Sequence, residues 1–261
     1  MKCRICGNES VKVFNACVMN KYHIDYFRCD GCDFLQTQEP YWLKESYAKG
    51  AISSLDTGVL FRNLHYSKVT SWIIYFLLNA KESFLDYGGG YGVFTRLMRD
   101  IGFDFYWHDP YAENILSRGF EGSVDGAKKY EALTAFENFE HFVDPIHEIE
   151  KLIGLTDTVI FSTELVPERL PKPNEWWYYC FGHGQHVSLY SHKTLKFIAQ
   201  KYHLNLYSYE SNYHILSRRK LSEFKFRFIL KVFTLSLPKI IKIESRTFPD
   251  FVALGNNSQG V

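Results

Sequence analysis

The chain has 261 residues, of which 46% are apolar and 23% are charged, and its formal net charge is +1. This length and composition predict a real buried core, with room for one sizeable α/β domain and an appendage. The near-neutral charge excludes an overall attraction to nucleic acid or to an anionic membrane. No apolar run of the signal-peptide kind follows the first residues, so we expect a cytoplasmic protein.

Residues 1–40 contain two Cys-x-x-Cys pairs, Cys3 with Cys6 and Cys29 with Cys32. In a reducing compartment, such pairs indicate metal ligands rather than disulfides. Four thiolates give the closed tetrahedral geometry of a structural Zn²⁺ site. So short a segment buries little core, and we expect the metal to supply its folding energy. The alternative is four reduced cysteines in a small core.

Residues 41–80 are predicted to form a helical cap or linker, because apolar residues recur at helical spacing from residue 57 to residue 80. Three aromatic residues stand near its start: Tyr41, Trp42 and Tyr47. We interpret them as core residues, with the lining of a pocket as the alternative.

A glycine-rich turn follows the predicted strand at residues 84–87, and a helical pattern follows the turn. Glycine lets a ligand approach the backbone closely, and the first amides of a helix then face that ligand. The turn is not the dinucleotide-binding pattern, because Val93 stands where G-x-G-x-x-G has its third glycine.

The spacing Asp86-x-Gly88-x-Gly90-x-Gly92 resembles motif I of the class I S-adenosylmethionine (SAM) dependent methyltransferases. With the cysteine module ahead of it, the chain is similar to the sugar C-methyltransferases of deoxysugar pathways. The resemblance implies a three-layer Rossmann-like domain at residues 81–217, with a mostly parallel seven-stranded sheet. It also implies that the glycines admit the methionine part of SAM and that Asp86 lies near its amino group.

Asp109 ends the second predicted strand. An acidic residue at this place in doubly wound folds can accept hydrogen bonds from both ribose hydroxyls, and the resemblance assigns Asp109 that role for SAM. The alternative is a structural aspartate that caps a turn with Pro110. At residues 119–131 the resemblance implies a further strand and an adenine contact, for which Phe120 and Glu121 are the candidates.

Residues 132–145 are predicted to form a buried strand, a polar turn and a helix that begins near Asp144. The segment resembles strand four of the family, whose end lies near the bound methyl group. We therefore predict that Phe136 and Glu137 contact the cofactor. Glu140 and His141 are further candidates: His141 is a possible catalytic base, and a structural Glu–His pair is the alternative.

A long loop separates the predicted strand at residues 158–164 from the predicted helix at residues 192–202, and long loops in compact domains are usually functional. His183 and His186 are candidate bases, because imidazole accepts a proton near neutral pH. Aromatic faces suit sugar rings, which makes four residues candidates for substrate binding: Trp176, Trp177, Tyr178 and Tyr179. The alternative is a loop held by histidine hydrogen bonds, with its aromatic residues closing the core.

Residues 204–217 are predicted to form an antiparallel hairpin, and residues 218–261 form a basic extension rich in phenylalanine. We interpret the extension as a cover over the core, with its long cationic side chains reaching outward. Contact with a membrane surface is the alternative. The tail at residues 255–261 is expected to be disordered.

These features together predict a SAM-dependent methyltransferase with structural zinc. Its acceptor is predicted to be a small carbohydrate-type molecule: a sugar, a sugar nucleotide or a polysaccharide precursor. One alternative is an NAD-dependent oxidoreductase, against which stand the missing third glycine and Asp86. The other is a non-catalytic zinc-ribbon binding protein with a SAM-binding fold. Few basic residues occur in residues 1–40, which argues against a nucleic acid partner.

Overall fold

The structure is a computed structural model that describes residues 1–48, 56–233 and 237–257. Its strands are β1 (Ser10–Val18), β2 (Tyr22–Cys29), β3 (Leu35–Thr37), β4 (Ser83–Tyr87), β5 (Asp104–His108), β6 (Ala132–Ala135), β7 (Thr158–Ser162), β8 (Ser188–Leu189), β9 (Asn205–Tyr209) and β10 (Tyr213–Ser217). Its helices are α1 (Leu43–Ser46), α2 (Val59–Leu77), α3 (Val93–Ile101), α4 (Pro145–Leu155), α5 (His192–Lys201), α6 (Glu223–Val232) and α7 (Thr247–Asn257). Short 3₁₀ segments lie at Phe139–His141, Trp177–Tyr179 and Leu237–Lys239.

The chain divides into two compact units. Unit 1 comprises Met1–Leu55 and Ala135–Arg219, and unit 2 comprises Asp56–Thr134 and Lys220–Val261. The predicted helices of residues 41–80 are present as α1 and α2, and residues 49–55 of that prediction lie outside the described residues. None of the helices in the described ranges combines the length and the apolar character needed to cross a bilayer.

Unit 1 contains a four-stranded antiparallel sheet with the order β1-β2-β3-β8. The first two strands form a hairpin, paired from Ser10↔Cys29 to Val18↔Tyr22. The last strand, β8, comes from far along the chain and pairs Leu35 with Leu189. One side of this sheet packs against a buried cluster that includes Trp42, Tyr178 and Tyr179. The N-terminal cysteine segment is therefore built into a larger core.

Unit 1 also holds the antiparallel strands β7, β10 and β9, in that order, and the helices α4 and α5. The helix predicted from Asp144 begins there, because the Asp144 side chain accepts the main-chain N–H of His147 and Pro145 occupies the first turn. Helix α5 begins with a capping box between Ser191 and Thr194. The predicted C-terminal hairpin is present as β9 and β10.

Unit 2 contains the parallel strands β5, β4 and β6, in that order, with α2 and α3. Strand β4 is a short run that is buried from Phe84 to Tyr87, as expected for a central parallel strand. Helix α3 buries Phe94 and Met98 and ends at Ile101, with Gly102 as its C-cap.

The predicted sheet of seven mostly parallel strands needs correction. Across residues 1–48, 56–233 and 237–257, unit 2 holds three parallel strands, β5, β4 and β6, and unit 1 holds three antiparallel strands, β7, β10 and β9, beside its four-stranded sheet. The strand expected within residues 119–131 is reduced to one isolated bridge between Trp107 and Glu121. Glycines stand on both sides of this bridge, at residues 119 and 122, and glycine is a poor strand former.

From Lys220 onward the C-terminal extension belongs to unit 2, where a buried ion pair holds α7. The Arg99 guanidinium donates to both carboxylate oxygens of Asp250, at 2.8 and 2.6 Å, and Arg96 adds a contact of 2.9 Å. The expected disorder of residues 255–261 is wrong for residues 255–257, which are helical, and residues 258–261 lie outside the described residues.

Candidate functional site

The glycine turn of unit 2 joins β4 to α3 as predicted, with Gly88, Gly90 and Gly92 at φ angles of +68°, +53° and +82°. Two features of Gly92 require glycine at this position. Its left-handed backbone disfavours other residues, and a Cβ there would lie 2.8 Å from Asn114 Oδ1. The turn therefore depends on glycine for its shape.

Asp86 lies at the end of β4 and is buried beneath the turn. The hydroxyls of Thr95 and Thr134 donate to its two carboxylate oxygens at 2.9 and 3.0 Å. Burial raises the pKa of Asp86 to about 7, the two hydroxyls lower it in part, and the nearby charge of Asp109 raises it further. The two oxygens of Asp86 therefore connect β4 to α3 and to β6.

Asp109 follows β5 and lies against the same turn. Its Oδ2 accepts the Gly90 N–H at 2.9 Å, and its Oδ1 accepts the N–H groups of Tyr111 and Ala112. On the opposite side of that glycine, Trp107 Nε1 donates to the Gly90 carbonyl at 2.9 Å. The structure thus brings Asp109 and the glycine turn together, and the carboxylate also caps its own turn, as the alternative interpretation had it.

Gly89 is a residue of this site that sequence reasoning missed. A Cβ at this position would lie 2.7 Å from Asp86 Oδ2 and 2.7 Å from the Trp107 ring. The spacing of the motif points to alternate glycines, so it gives no reason to select the one between them. The signal was the unbroken run of three glycines at residues 88–90.

Phe136 and Glu137 lie in unit 1, directly after β6. Ser162 Oγ donates to Glu137 Oε1 at 2.6 Å, and the Glu137 N–H donates to Ser162 Oγ at 2.7 Å. The backbone of Glu137 is left-handed, with φ at +54°. Such strained residues cluster at functional sites. The Phe136 ring lies 5.9 Å from the ring of Tyr213.

The three candidate bases lie together in unit 1. The ring centroid of His186 is 5.1 Å from that of His141 and 5.1 Å from that of His183. His186 Nδ1 lies 2.7 Å from the carbonyl of Tyr178, which makes this nitrogen the donor. His183 Nδ1 accepts the main-chain N–H two residues along. His141 Nδ1 pairs with the Tyr47 hydroxyl at 2.9 Å, a contact across 94 residues that no local pattern indicates.

Glu140 lies next to this histidine cluster, with Oε1 at 3.9 Å from His141 Nε2, and its side chain is fully buried. Burial, and then the charge of Glu137, raise the pKa of Glu140 to about 8. The hydroxyls of Thr163 and Tyr178 are near enough to lower this pKa in part. Neither carboxyl oxygen, however, accepts a well-formed hydrogen bond from a described residue.

The four aromatic residues predicted to bind substrate differ in their exposure. Trp176, Tyr178 and Tyr179 are buried in the core of unit 1, whereas Trp177 is 72% exposed. The Tyr179 hydroxyl donates to the Pro171 carbonyl at 2.7 Å. Three of the four therefore anchor the loop in the core of unit 1, and Trp177 presents its ring to solvent.

The four predicted metal ligands converge in unit 1. Cys3 Sγ lies 3.6 Å from Cys32 Sγ, and Cys6 Sγ lies 3.3 Å from Cys29 Sγ. All four sulfur atoms lie within 4.8 Å of one another, and none forms a disulfide. The hydrogen bond from Cys32 lowers the pKa of Cys3 to about 5 and raises that of Cys32. Sulfur atoms around one Zn²⁺ are about 3.8 Å apart, so this cluster suits zinc.

Comparison with known proteins identifies one sequence family. The profile described as "Methyltransferase domain" matches residues 61–209, which is more than half of the chain. No curated protein sequence matches the chain.

Several solved structures resemble the fold at low identity. Human N-acetylserotonin methyltransferase in complex with SAM is 12% identical, with a TM-score of 0.47, over 59% of this chain and 51% of that one. An O-methyltransferase family protein from Burkholderia thailandensis is 12% identical, with a TM-score of 0.43, over 61% and 57%. Magnesium protoporphyrin IX methyltransferase from Synechocystis PCC 6803 with bound SAH is 16% identical, with a TM-score of 0.44, over 68% and 93%. This chain spans only about half the length of the first two.

Proposed function

The chain belongs to the methyltransferase-domain family whose profile it matches, and from this premise we propose that it is a SAM-dependent methyltransferase acting on a small molecule. The acceptor that we propose is a sugar, a sugar nucleotide or a polysaccharide precursor. In this proposal, residues 1–40 are the zinc-binding module, residues 41–80 the helical cap, residues 81–217 the methyltransferase domain and residues 218–261 its extension.

The proposal rests on one observation, the hydrogen bond of 2.9 Å from the Gly90 N–H to Asp109 Oδ2. It holds a carboxylate at the edge of a turn made of left-handed glycines. Asp109 would accept the ribose hydroxyls there, and the turn would admit the methionine part of SAM. Since Asp86 and Asp109 repel each other, a positively charged amino group would be stabilised between them.

When bound, SAM supplies a methyl group on a sulfonium sulfur, and the chain must hold an acceptor and remove its proton. We propose that a histidine of unit 1 accepts this proton, with His183, His186 and His141 as candidates. The geometry favours His186. Its Nδ1–H donates to the Tyr178 carbonyl, so in the neutral ring Nε2 carries the lone pair.

The remaining predicted residues have supporting roles in this proposal. Trp177 offers an exposed aromatic face for a sugar ring. Phe136 and Glu137 would contact the cofactor, and the hydrogen bonds of Glu137 with Ser162 would hold it in place. Structural zinc would be bound by Cys3, Cys6, Cys29 and Cys32, as their mutual distances support.

The test of this proposal is calorimetric titration with S-adenosylhomocysteine, followed by turnover assays with SAM and a panel of nucleotide sugars. We expect Asp109→Ala to bind S-adenosylhomocysteine about 10–100-fold more weakly, since hydrogen bonds from the ribose to a charged acceptor are lost. Glu113→Ala is the matched control, because Glu113 is an exposed carboxylate of the same unit, paired only with the exposed Arg118 among the contacts found. Equal affinities of wild type and Asp109→Ala would contradict the assignment.

The same titration separates the proposal from NAD-dependent redox chemistry. We expect no heat of binding with NAD, because Val93 replaces the third glycine of the dinucleotide motif. Affinity for NAD without affinity for S-adenosylhomocysteine would favour the oxidoreductase instead.

A further inference from the structure

The surroundings of the Glu140 carboxyl group do not balance a negative charge. The side chain is fully buried in unit 1, and neither of its oxygens accepts a well-formed hydrogen bond from a residue that the structure describes, although the hydroxyls of Thr163 and Tyr178 lie nearby. An ionised carboxylate in such a place costs several kcal/mol unless a cation pairs with it. The nearby charge of Glu137 raises this cost further.

Two histidine side chains lie next to this carboxyl group. One ligand atom of Glu140, one of His141 and one of His186 all lie within 4.8 Å of one another, and His141 Nε2 is 3.9 Å from Glu140 Oε1. Atoms bound to one first-row cation at about 2.1 Å are at most about 4.2 Å apart, so a side-chain shift of under about 1 Å brings all three onto one ion.

Both imidazoles are oriented as metal ligands usually are. A histidine that binds a metal through one nitrogen normally has its other nitrogen fixed by a protein group. His141 Nδ1 pairs with the Tyr47 hydroxyl, and His186 Nδ1 pairs with the Tyr178 carbonyl. These contacts orient Nε2 of each ring as the coordinating nitrogen.

We propose that Glu140, His141 and His186 form a binding site for a first-row divalent cation such as Zn²⁺, Mn²⁺ or Fe²⁺. The donor set of two imidazoles and one carboxylate suits these ions better than Mg²⁺ or Ca²⁺, which prefer oxygen donors alone. The site is separate from the four cysteines, whose sulfur donors fill a tetrahedral shell.

Three protein ligands leave positions for water or for an oxygen of a substrate, so this site is of the open, catalytic kind. The proposal does not depend on methyl transfer. If both hold, the lone pair of His186 binds the cation instead of the proton. The cation then polarises the hydroxyl oxygen of the acceptor, and the proton of that hydroxyl passes to solvent water.

The test is the number of metal ions per chain. The full chain is equilibrated with a small excess of Zn²⁺, passed through gel filtration and analysed by mass spectrometry of its metals. We expect two ions per wild-type chain, one at the cysteines and one at Glu140. Glu140→Gln keeps the volume of the side chain but removes its charge, and we expect it to retain one ion.

Three controls make the count decisive. Glu168→Gln removes an exposed carboxylate of the same unit and should keep two ions. Cys180→Ser disrupts the neighbouring group of Cys180, His183 and His186, and should also keep two. Because a folding defect could also lower the number of bound ions, the Tm of each protein is measured with one and with two equivalents of Zn²⁺ per chain. The second equivalent should raise the Tm of wild type but leave that of Glu140→Gln unchanged.

Equal numbers of ions in wild type and in Glu140→Gln would overturn the proposal, whatever the number bound at the cysteines. Loss of the second ion in Cys180→Ser would overturn it too, because the cation would then belong to the other group. These outcomes are independent of S-adenosylhomocysteine binding, so a failure here is distinguishable from a failure of the proposed function.

Discussion

At the scale of single residues, Asp86 combines complete burial with hydroxyl donors on both oxygens. Its pKa of about 7 in the folded state lies above the ordinary value of 3.8 expected in the unfolded chain. The folded state therefore holds a proton that the unfolded state has lost. The stability from this proton is fully present below pH 4 and is lost as pH rises towards 7.

We predict that the free energy of unfolding of Asp86→Asn depends less on pH than that of wild type. Between pH 4 and pH 7 the wild type should lose up to about 4 kcal/mol relative to the variant, since each pKa unit corresponds to about 1.4 kcal/mol. Urea unfolding of both proteins over this range measures the difference. Parallel curves would mean that Asp86 is ionised in the folded protein throughout.

At the scale of elements, the turn between β4 and α3 is set by backbone shape. We predict that Gly92→Ala destabilises the protein by about 1–3 kcal/mol, because its left-handed φ disfavours alanine and the new Cβ would meet Asn114. Gly154→Ala is the matched control. Gly154 lies in α4 with open space around a Cβ, and alanine there should stabilise by about 0.5–1 kcal/mol. Thermal melting of both variants gives the comparison.

In helix α7, the carboxylate of Asp250 pairs with Arg99 and Arg96. We predict that Asp250→Ala destabilises the protein by about 3–5 kcal/mol, because the buried Arg99 charge loses its main partner. Glu223→Ala breaks an exposed pair with Arg227 and should change stability by less than about 0.5 kcal/mol. Urea unfolding measures the free energy of unfolding of both variants. Equal decreases would show that the buried Arg99 pair stabilises the protein no more than the exposed pair does.

At the scale of the whole molecule, the cysteine cluster connects distant parts of unit 1. The hydroxyls of Thr194 and Ser191, at the start of α5, donate to the Cys32 carbonyl at 2.8 and 3.4 Å. Loss of the proposed zinc should therefore disturb residues far beyond the first forty.

We predict that Cys32→Ser lowers the Tm by at least about 10 °C. Losing a metal-held site costs several kcal/mol, and each kcal/mol moves the Tm of a chain of this size by about 2–4 °C. Cys17→Ser is the control, since Cys17 is exposed and outside the cluster. A similar Tm for both variants, with zinc content unchanged, would exclude zinc binding by Cys32.

The sequence was sufficient where a local pattern carries its own physics. The Cys-x-x-Cys pairs indicated four converging sulfurs, and the Asp86–Gly92 spacing indicated a strand, a glycine turn and a helix. The position of Asp109 after the second strand placed it beside that turn, because parallel neighbours end at the same edge.

Contacts between residues far apart in the sequence could not be predicted. No period or spacing pairs Tyr47 with His141 or Arg99 with Asp250. The exposure of Trp177 beside three buried aromatic residues likewise depends on the tertiary core. The missing strand near Glu121 shows how glycine outweighs the expectation from a fold family.

The pairing of β3 with β8 has a consequence for how the protein is made. About 150 residues separate the two strands, so at roughly 5–20 residues per second a ribosome needs about 8–30 s to deliver the second one. During that interval the third strand exposes an unpaired edge, which is a template for association between nascent chains. Zinc held by Cys3, Cys6, Cys29 and Cys32 would keep this edge in a folded hairpin until its partner emerges.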